Sequence, residues 1–263
     1  MLKKLLKYDF INIYKGLVIF YSLSLFFSIL ARLFIGIENS FVMNIIGNIC
    51  VGVSISMMFN VLINNFIRLW VRFKQNLYGD ESYLTHTLPI SKKTLYTSKI
   101  LTALTILFVS IAIIALTLFI AYYSKENMIV LKNLLLPVAD IYDTSIMKII
   151  VAFLIIIFVE FATTLQSGFT GIILGHKMNN NKLICSIAFG FITYMFFQIF
   201  GVIALFAGAL FSPDLMNLFI TNQMVNMDMI KLVIYLAMGF YSLCVILGYI
   251  FNLYMFNKGV NVD

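Results

Sequence analysis

The residues of this 263-residue chain whose chemistry stands out are polar groups set inside apolar runs. Glu160 interrupts the stretch AFLIIIFVEFATTL. At the centre of a membrane helix an acidic side chain costs about 2.5–3.5 kcal/mol on insertion scales, which makes it a functional-site candidate by default. Two readings stay open for it: contact with a substrate or pathway, or a buried hydrogen bond within a helix bundle or across a dimer. Thr164, Gly168, Gly171 and Gly175 follow on the same helix, and the Gly171-to-Gly175 pair has the small-xxx-small spacing that lets backbones approach closely. Gln198, one turn after Tyr194, invites the same two readings.

A second constellation is more regular. Asn44, Asn48, Gly52, Ser56, Asn60 and Asn64 follow one another at four-residue steps, tracing one stripe on one helix. Small and polar residues in a span either let helices approach and hydrogen-bond or line an aqueous path, and both roles fit this stripe.

Catalytic chemistry has no comparable footing. No G-x-x-x-x-G-K-[ST] string supplies the backbone amides and Lys that cradle nucleotide phosphates, and no H-E-x-x-H is present. His86 and His176 lack carboxylate or cysteine neighbours at ligand spacing, so no metal site is expected. Cys50, Cys185 and Cys244 each lie in an apolar run and read as small buried hydrophobes. Their odd number excludes a complete set of intrachain disulfides. The expectation is a protein that is not itself an enzyme and binds no cofactor.

The elements that must hold these groups are membrane helices. The chain is 62% hydrophobic and 11% charged, with a mean hydropathy of +1.01, whereas soluble domains carry about 25% charged residues. Apolar runs long enough to cross a hydrocarbon core of about 30 Å place six transmembrane helices at about 17–37, 41–67, 100–123, 146–175, 184–211 and 230–256. The run from Gly16 to Ile37 is too long for the apolar part of a signal peptide and is expected to remain as the first span. The fold class is thus all-α integral membrane, a single transmembrane domain over residues 1–263.

Lys and Arg distribute unevenly between the two sides. One set of connections holds Lys3, Lys4, Lys7 and Lys15, then Arg68, Arg72, Lys74, Lys92, Lys93 and Lys99, then Lys177, Lys182 and Lys258; the other holds Arg32, Lys125, Lys132, Lys148 and Lys231. The positive-inside rule makes the richer side cytoplasmic, with both termini on it. Outside lie a short turn around Glu38, a loop near 124–145 and a loop near 212–229 carrying Asp214 and Asp228. The formal net charge of +7 forms no basic arm, so nucleic acid is not an expected partner. Before the first span, Leu2, Leu5, Leu6, Phe10 and Ile13 recur at helical steps with Lys3, Lys4, Lys7, Asp9, Asn12 and Lys15 between them. That pattern describes an amphipathic helix in the inner interface, its lysines toward anionic lipid; a simple continuation of the first span is the alternative.

The longest cytoplasmic connection, RLWVRFKQNLYGDESYLTHTLPISKKTLYTSK over residues 68–99, holds the most information. Gly79 can break the second helix, and Asp80 and Glu81 sit where a new helix has its positive dipole end. In the short helix that follows, Tyr83 pairs with Thr87 and Leu84 with Leu88 at four-residue spacing before Pro89 ends it. Ser91 is the expected N-cap of the third span. A one- or two-turn helix is not stable alone in water. It docks on a cytoplasmic partner or folds back on the membrane surface.

The segment YGDESYLTHTLPISKKTLYTSKILTAL, with the opening LLKYDF and the six spans, resembles the membrane (permease) subunit of a type-2 ABC exporter, particularly those of low-GC Gram-positive bacteria. The resemblance covers the whole topology and is most specific over residues 78 to about 104. It implies an interfacial elbow at the N-terminus and a short cytoplasmic coupling helix between helices 2 and 3. Gly79, Asp80, Glu81, Tyr83, Leu84, Leu88 and Pro89 would then form the segment that docks on the ATP-binding subunit. It further implies a homodimer or heterodimer with a second permease in the bacterial cell membrane, ATP and Mg on the partner subunit, and export of an amphipathic peptide, antibiotic or lipid-like substrate. A non-transporting immunity or regulatory protein that binds a peptide or partner is the alternative. A secondary transporter, which ought to show an internal repeat and coupling carboxylates, fits less well.

Overall fold

A computed structural model describes residues 2–37, 40–141, 143–212, 216 and 227–259. The described residues are helical, with no strand: α1 (Leu2–Ile35), α2 (Phe41–Leu77), α3 (Ser82–Thr87), α4 (Lys92–Tyr122), α5 (Lys125–Ile141), α6 (Ile146–Gly175), α7 (Lys182–Phe211) and α8 (Met227–Asn257). Six of them, all but α3 and α5, are long and apolar enough to cross a membrane. Glu38 and Asp214, and the side chain of Asp228, lie outside the described residues.

Three boundaries differ from the sequence expectation. α1 is one uninterrupted helix of 34 residues, about 50 Å long at about 1.5 Å per residue. The charged start therefore continues the first span instead of forming a separate element. α2 runs ten residues past its expected end, to Leu77. The connection near 124–145 is helical over Lys125–Ile141, with Pro137 inside it. Its start is fixed by Ser124, whose Oγ accepts from Asn127 N at 2.9 Å while its carbonyl accepts from Met128 N at 3.0 Å. Among the described residues, then, that connection is an element and not an open loop.

The chain forms two compact units. The first comprises residues 1–75 and 87–131 and contains α1, nearly all of α2, and α4. α1 buries Asp9, Ile13, Leu17, Tyr21, Ser24, Ser28 and Ala31, a face that steps by three or four residues, and this face packs on α4. The serines suit the close approach because Ser24 and Ser28 return their hydroxyls to the carbonyls of Tyr21 and Leu25, so no donor is left unpaired in an apolar contact. At the basic end of this face Lys99 Nζ of α4 lies 2.5 Å from Asp9 Oδ2, and Arg72 Nε of α2 lies 3.6 Å from Oδ1. Deeper in, Asn65 Nδ2 donates to Ser110 Oγ at 2.8 Å and Ser110 donates to the carbonyl of Ile106 at 2.9 Å. With that hydrogen used, the 2.6 Å contact between Tyr21 and Ser110 has the phenol as donor.

The second unit comprises residues 76–86 and 132–263. Its core is α6, which packs on both α7 and α8. α6 and α7 meet along Gly171 and Gly175: a Cβ at Gly171 would come within 2.5 Å of Gly190 N, and one at Gly175 within 2.5 Å of Ser186 Cα. The small-residue pair read from the sequence thus lies in the closest approach between these helices. Asn181 takes the left-handed conformation (φ 53, ψ 42) where the chain turns into α7, which an Asn tolerates better than most residues. Between α6 and α8, Thr170 Oγ1 donates to Asn252 Oδ1 at 2.8 Å and Gln166 Nε2 to the carbonyl of Val245 at 3.1 Å. Such bonds fix helix register where lipid offers no competing partner.

Candidate functional site

The inner face of α3 is held within the second unit. The preceding helix ends at Leu77, two residues before Gly79, and the turn is closed by Ser82 N donating to Gly79 O at 2.9 Å. Glu81 precedes the first helical residue; its carbonyl accepts from Thr85 N at 3.0 Å and its carboxylate from Asn76 Nδ2 at 2.9 Å. The inner face of α3 carries the buried residues Ser82 and Thr85. His86 Nε2 donates to the carbonyl of Leu77 at 3.1 Å, and its ring lies 6.2 Å from that of Phe256 on α8. Just before the turn, Tyr78 is buried with its ring 4.4 Å from that of His176, and burial pushes its phenol well above the ordinary value, so it stays neutral in any cellular compartment. His176 Nδ1 in turn donates to the carbonyl of Ile172 at 2.8 Å. The two histidines, which by sequence have no assigned role beyond not binding metal, are therefore packing and anchoring groups around α3. No set of three His, Cys, Asp or Glu groups suited to a metal ion occurs among the described residues.

The opposite face of α3 is open. Tyr83 is 66% and Leu84 76% exposed, and Asp80 is also exposed. Leu88 and Pro89 belong to the first unit and are exposed there. They lie beyond the helix, which ends at Thr87, so Leu88 does not continue a helical face from Leu84. Pro89 accounts for that end, since it disfavours the helical conformation of the residue before it. Ser91 then caps α4 as the sequence predicts, with extended backbone (φ −63, ψ 142) and its Oγ accepting from Thr94 N at 3.2 Å.

The α2 stripe lies on the outside of the first unit. Asn44, Asn48, Gly52, Ser56 and Asn60 are exposed and Asn64 is half-buried, and nothing lies within 4 Å of a Cβ placed at Gly52. Three of these side chains turn back onto their own helix: Ser56 Oγ donates to Gly52 O, Asn60 Nδ2 to Ser56 O and Asn64 Nδ2 to Asn60 O, at 2.9–3.0 Å. From Asn44 to Asn60 the stripe is exposed on the first unit, and Asn64 borders α1 beside Asn12 and Ile13. It is Asn65, one position off the stripe, that is buried in the core.

Glu160 is half-buried on α6, and its carboxylate has no hydrogen-bond partner among the described residues. Thr164 donates to the Glu160 carbonyl at 3.2 Å, which ties the hydroxyl to the backbone and not to the acid. Gln198 accepts a long bond of 3.4 Å from the Tyr241 hydroxyl of α8. Cys50 and Cys244 are buried, Cys185 is half-buried, and all three are free thiols. Sequence reading missed the cluster of Asp9, Lys99 and Arg72 and the pair Gln166 and Asn252. The signal for Asp9 is its place one turn before Ile13, Leu17 and Tyr21 on a single face. Comparison of the chain with protein-family models, with curated proteins and with solved structures finds no match.

Proposed function

We propose that the chain is the permease subunit of an ATP-driven ABC exporter, whose energy comes from ATP and Mg bound to a separate ATP-binding subunit. One observation carries this reading. α3 has its inner face clamped by Asn76, Leu77 and Phe256, while Tyr83 and Leu84 project from the other face. A clamped helix transmits displacement, and an exposed aromatic-aliphatic tip is suited to a pocket on a partner. On this reading α3 is the coupling helix, with Gly79, Asp80, Glu81, Leu88 and Pro89 around it, and closure of the ATPase dimer moves it as a lever. The Lys- and Arg-rich side is cytoplasmic and holds both termini, the first turns of α1 lie at the inner interface, and the membrane is that of a bacterial cell.

The exposed polar stripe of α2 supports a second permease, as homodimer or heterodimer. Amides facing lipid are costly, and facing a pathway between two permeases they are not. The substrate on this reading is an amphipathic peptide, antibiotic or lipid-like molecule, with Glu160 and Gln198 as candidate contacts. The test is co-purification of the tagged protein from its own host in mild detergent. An ATPase should accompany the wild type and be lost from Leu84→Asp. An ATPase absent from the wild type, or retained by Leu84→Asp at wild-type stoichiometry, overturns the proposal.

A further inference from the structure

In the second unit α6, α7 and α8 each carry a polar residue near mid-length: Glu160 on α6, Gln198 on α7 and Tyr241 on α8. Helix register brings the three to one level. α7 runs antiparallel to α6 with Gly171 against Gly190. Equal steps back from Gly171 and on from Gly190 pair the level of Glu160 with that of Gly201, one turn from Gln198. α8 runs parallel to α6, and Thr163 Oγ1, one turn after Glu160, lies 3.5 Å from the carbonyl of Tyr241. The Tyr241 hydroxyl closes the group by donating to Gln198 Oε1 at 3.4 Å. Tyr241 also stands within electrostatic reach of both Glu160 and Tyr194.

An acid at this depth is costly without a counter-charge, and the three helices supply none nearby. α6 has no Lys or Arg after Lys148, α7 none after Lys182 and α8 none after Lys231. Along their helices these lysines stand about 15–18 Å from Glu160, Tyr194 and Tyr241, at about 1.5 Å per residue. The neighbouring hydroxyls are spent elsewhere: Thr163 donates to the carbonyl of Val159, Thr164 to that of Glu160 and Tyr241 to Gln198. Glu160 is half-buried and not enclosed, so a counter-charge can reach it from outside the chain. Its surroundings select the kind. One carboxylate is too few for Ca²⁺, which takes six to eight oxygens. Phenol rings attract a cation within about 6 Å of their centres, and the sequence around the acid, IIIFVEFA, is otherwise apolar. An ammonium head on an apolar body meets all of these conditions.

We propose that Glu160, Tyr194 and Tyr241 form a binding site for the ammonium group of an amphiphilic amine, with Glu160 as counter-charge, the two phenols as its aromatic wall and Gln198 holding the Tyr241 hydroxyl. The proposal deepens the transport reading, on which it rests for the site's role, by naming the charge of the substrate. Binding itself is measured without an ATPase. The test follows saturable uptake of labelled dodecylamine, protonated near neutral pH, by the whole protein in a neutral detergent, over uptake by protein-free micelles. Dodecanol serves as the uncharged competitor.

Uptake of one amine per chain, not displaced by an equal concentration of dodecanol, is expected. Glu160→Gln, which keeps the shape and removes the charge, should weaken it tenfold or more, and Glu160→Asp should retain most of it. Tyr241→Leu should cost about fivefold through the lost ring. Glu126→Gln, on α5 and outside the cluster, should change the affinity by less than about twofold. If Glu160→Gln does not fold, Tyr194→Leu serves, with a loss of several fold. Dodecanol competing as well as unlabelled amine overturns the proposal. So does wild-type affinity in Glu160→Gln, or in Tyr194→Leu where that variant has to serve. Glu160→Asp as weak as Glu160→Gln overturns it as well, because shape and not charge would then be read. An ATPase missing from the purified protein overturns the transport reading alone and leaves the amine site standing.

Discussion

Asp9 and Lys99 meet with their side chains 5% and 6% exposed, whereas Tyr83 and Leu84 stand open on a helix whose other face is held. Both arrangements put side chains where simple partitioning would not. In the first unit, charged groups sit inside and are satisfied by one another, so their removal acts on folding. In the second unit, an aromatic and an aliphatic group sit outside, so on the proposed function their removal acts on partner binding and not on folding. The contrast separates residues whose loss should unfold the molecule from residues whose loss should leave its fold intact.

The sharpest break of that contrast is Lys99→Met, which leaves Asp9 with only the longer Arg72 contact. Removing one partner of a buried pair costs about 3–5 kcal/mol, read by thermal or chemical unfolding in detergent. The double variant Asp9→Asn with Lys99→Met should recover part of the loss; no recovery would mean that Lys99 has another duty. Next in size is Gly175→Ala, whose added methyl overlaps the Ser186 backbone and should cost about 1–3 kcal/mol through overpacking. Tyr21→Phe removes one buried donor to Ser110 and should lower stability by about 1 kcal/mol. Smallest is Leu84→Asp, which should leave the unfolding free energy within about 0.5 kcal/mol of wild type while abolishing partner association. A loss of stability there as large as that of Tyr21→Phe would erase the distinction between the two regions.

Much of the fold was legible because membrane spans announce themselves. A run of 20 or more apolar residues has few alternatives, and each of the six long helices covers one run read from the sequence to within two residues. Local rules also carried Ser91 into its capping role and Gly171 and Gly175 into a close helix contact. What sequence alone misplaced was the environment of charge. Asp9 reads as one polar residue of an amphipathic start and Lys99 as one cation of a cytoplasmic connection, and nothing local tells Asp9 that a lysine 90 residues away will meet it. Asn64 and Asn65 show the same limit at finer grain, since one position on a helix separates an outward-facing residue from a core one. The α5 helix was hidden because Pro137 and the polar positions around it break the apolar run without preventing a helix.

The 90-residue separation of Asp9 and Lys99 also sets a clock during synthesis. At about 5–20 residues per second, a ribosome needs about 5–18 s to make Lys99 after Asp9. Throughout that interval the carboxylate lacks its closest partner, and Arg72 is made before Lys99 is. The first span therefore reaches its final packing only when the third span arrives, however early it is made.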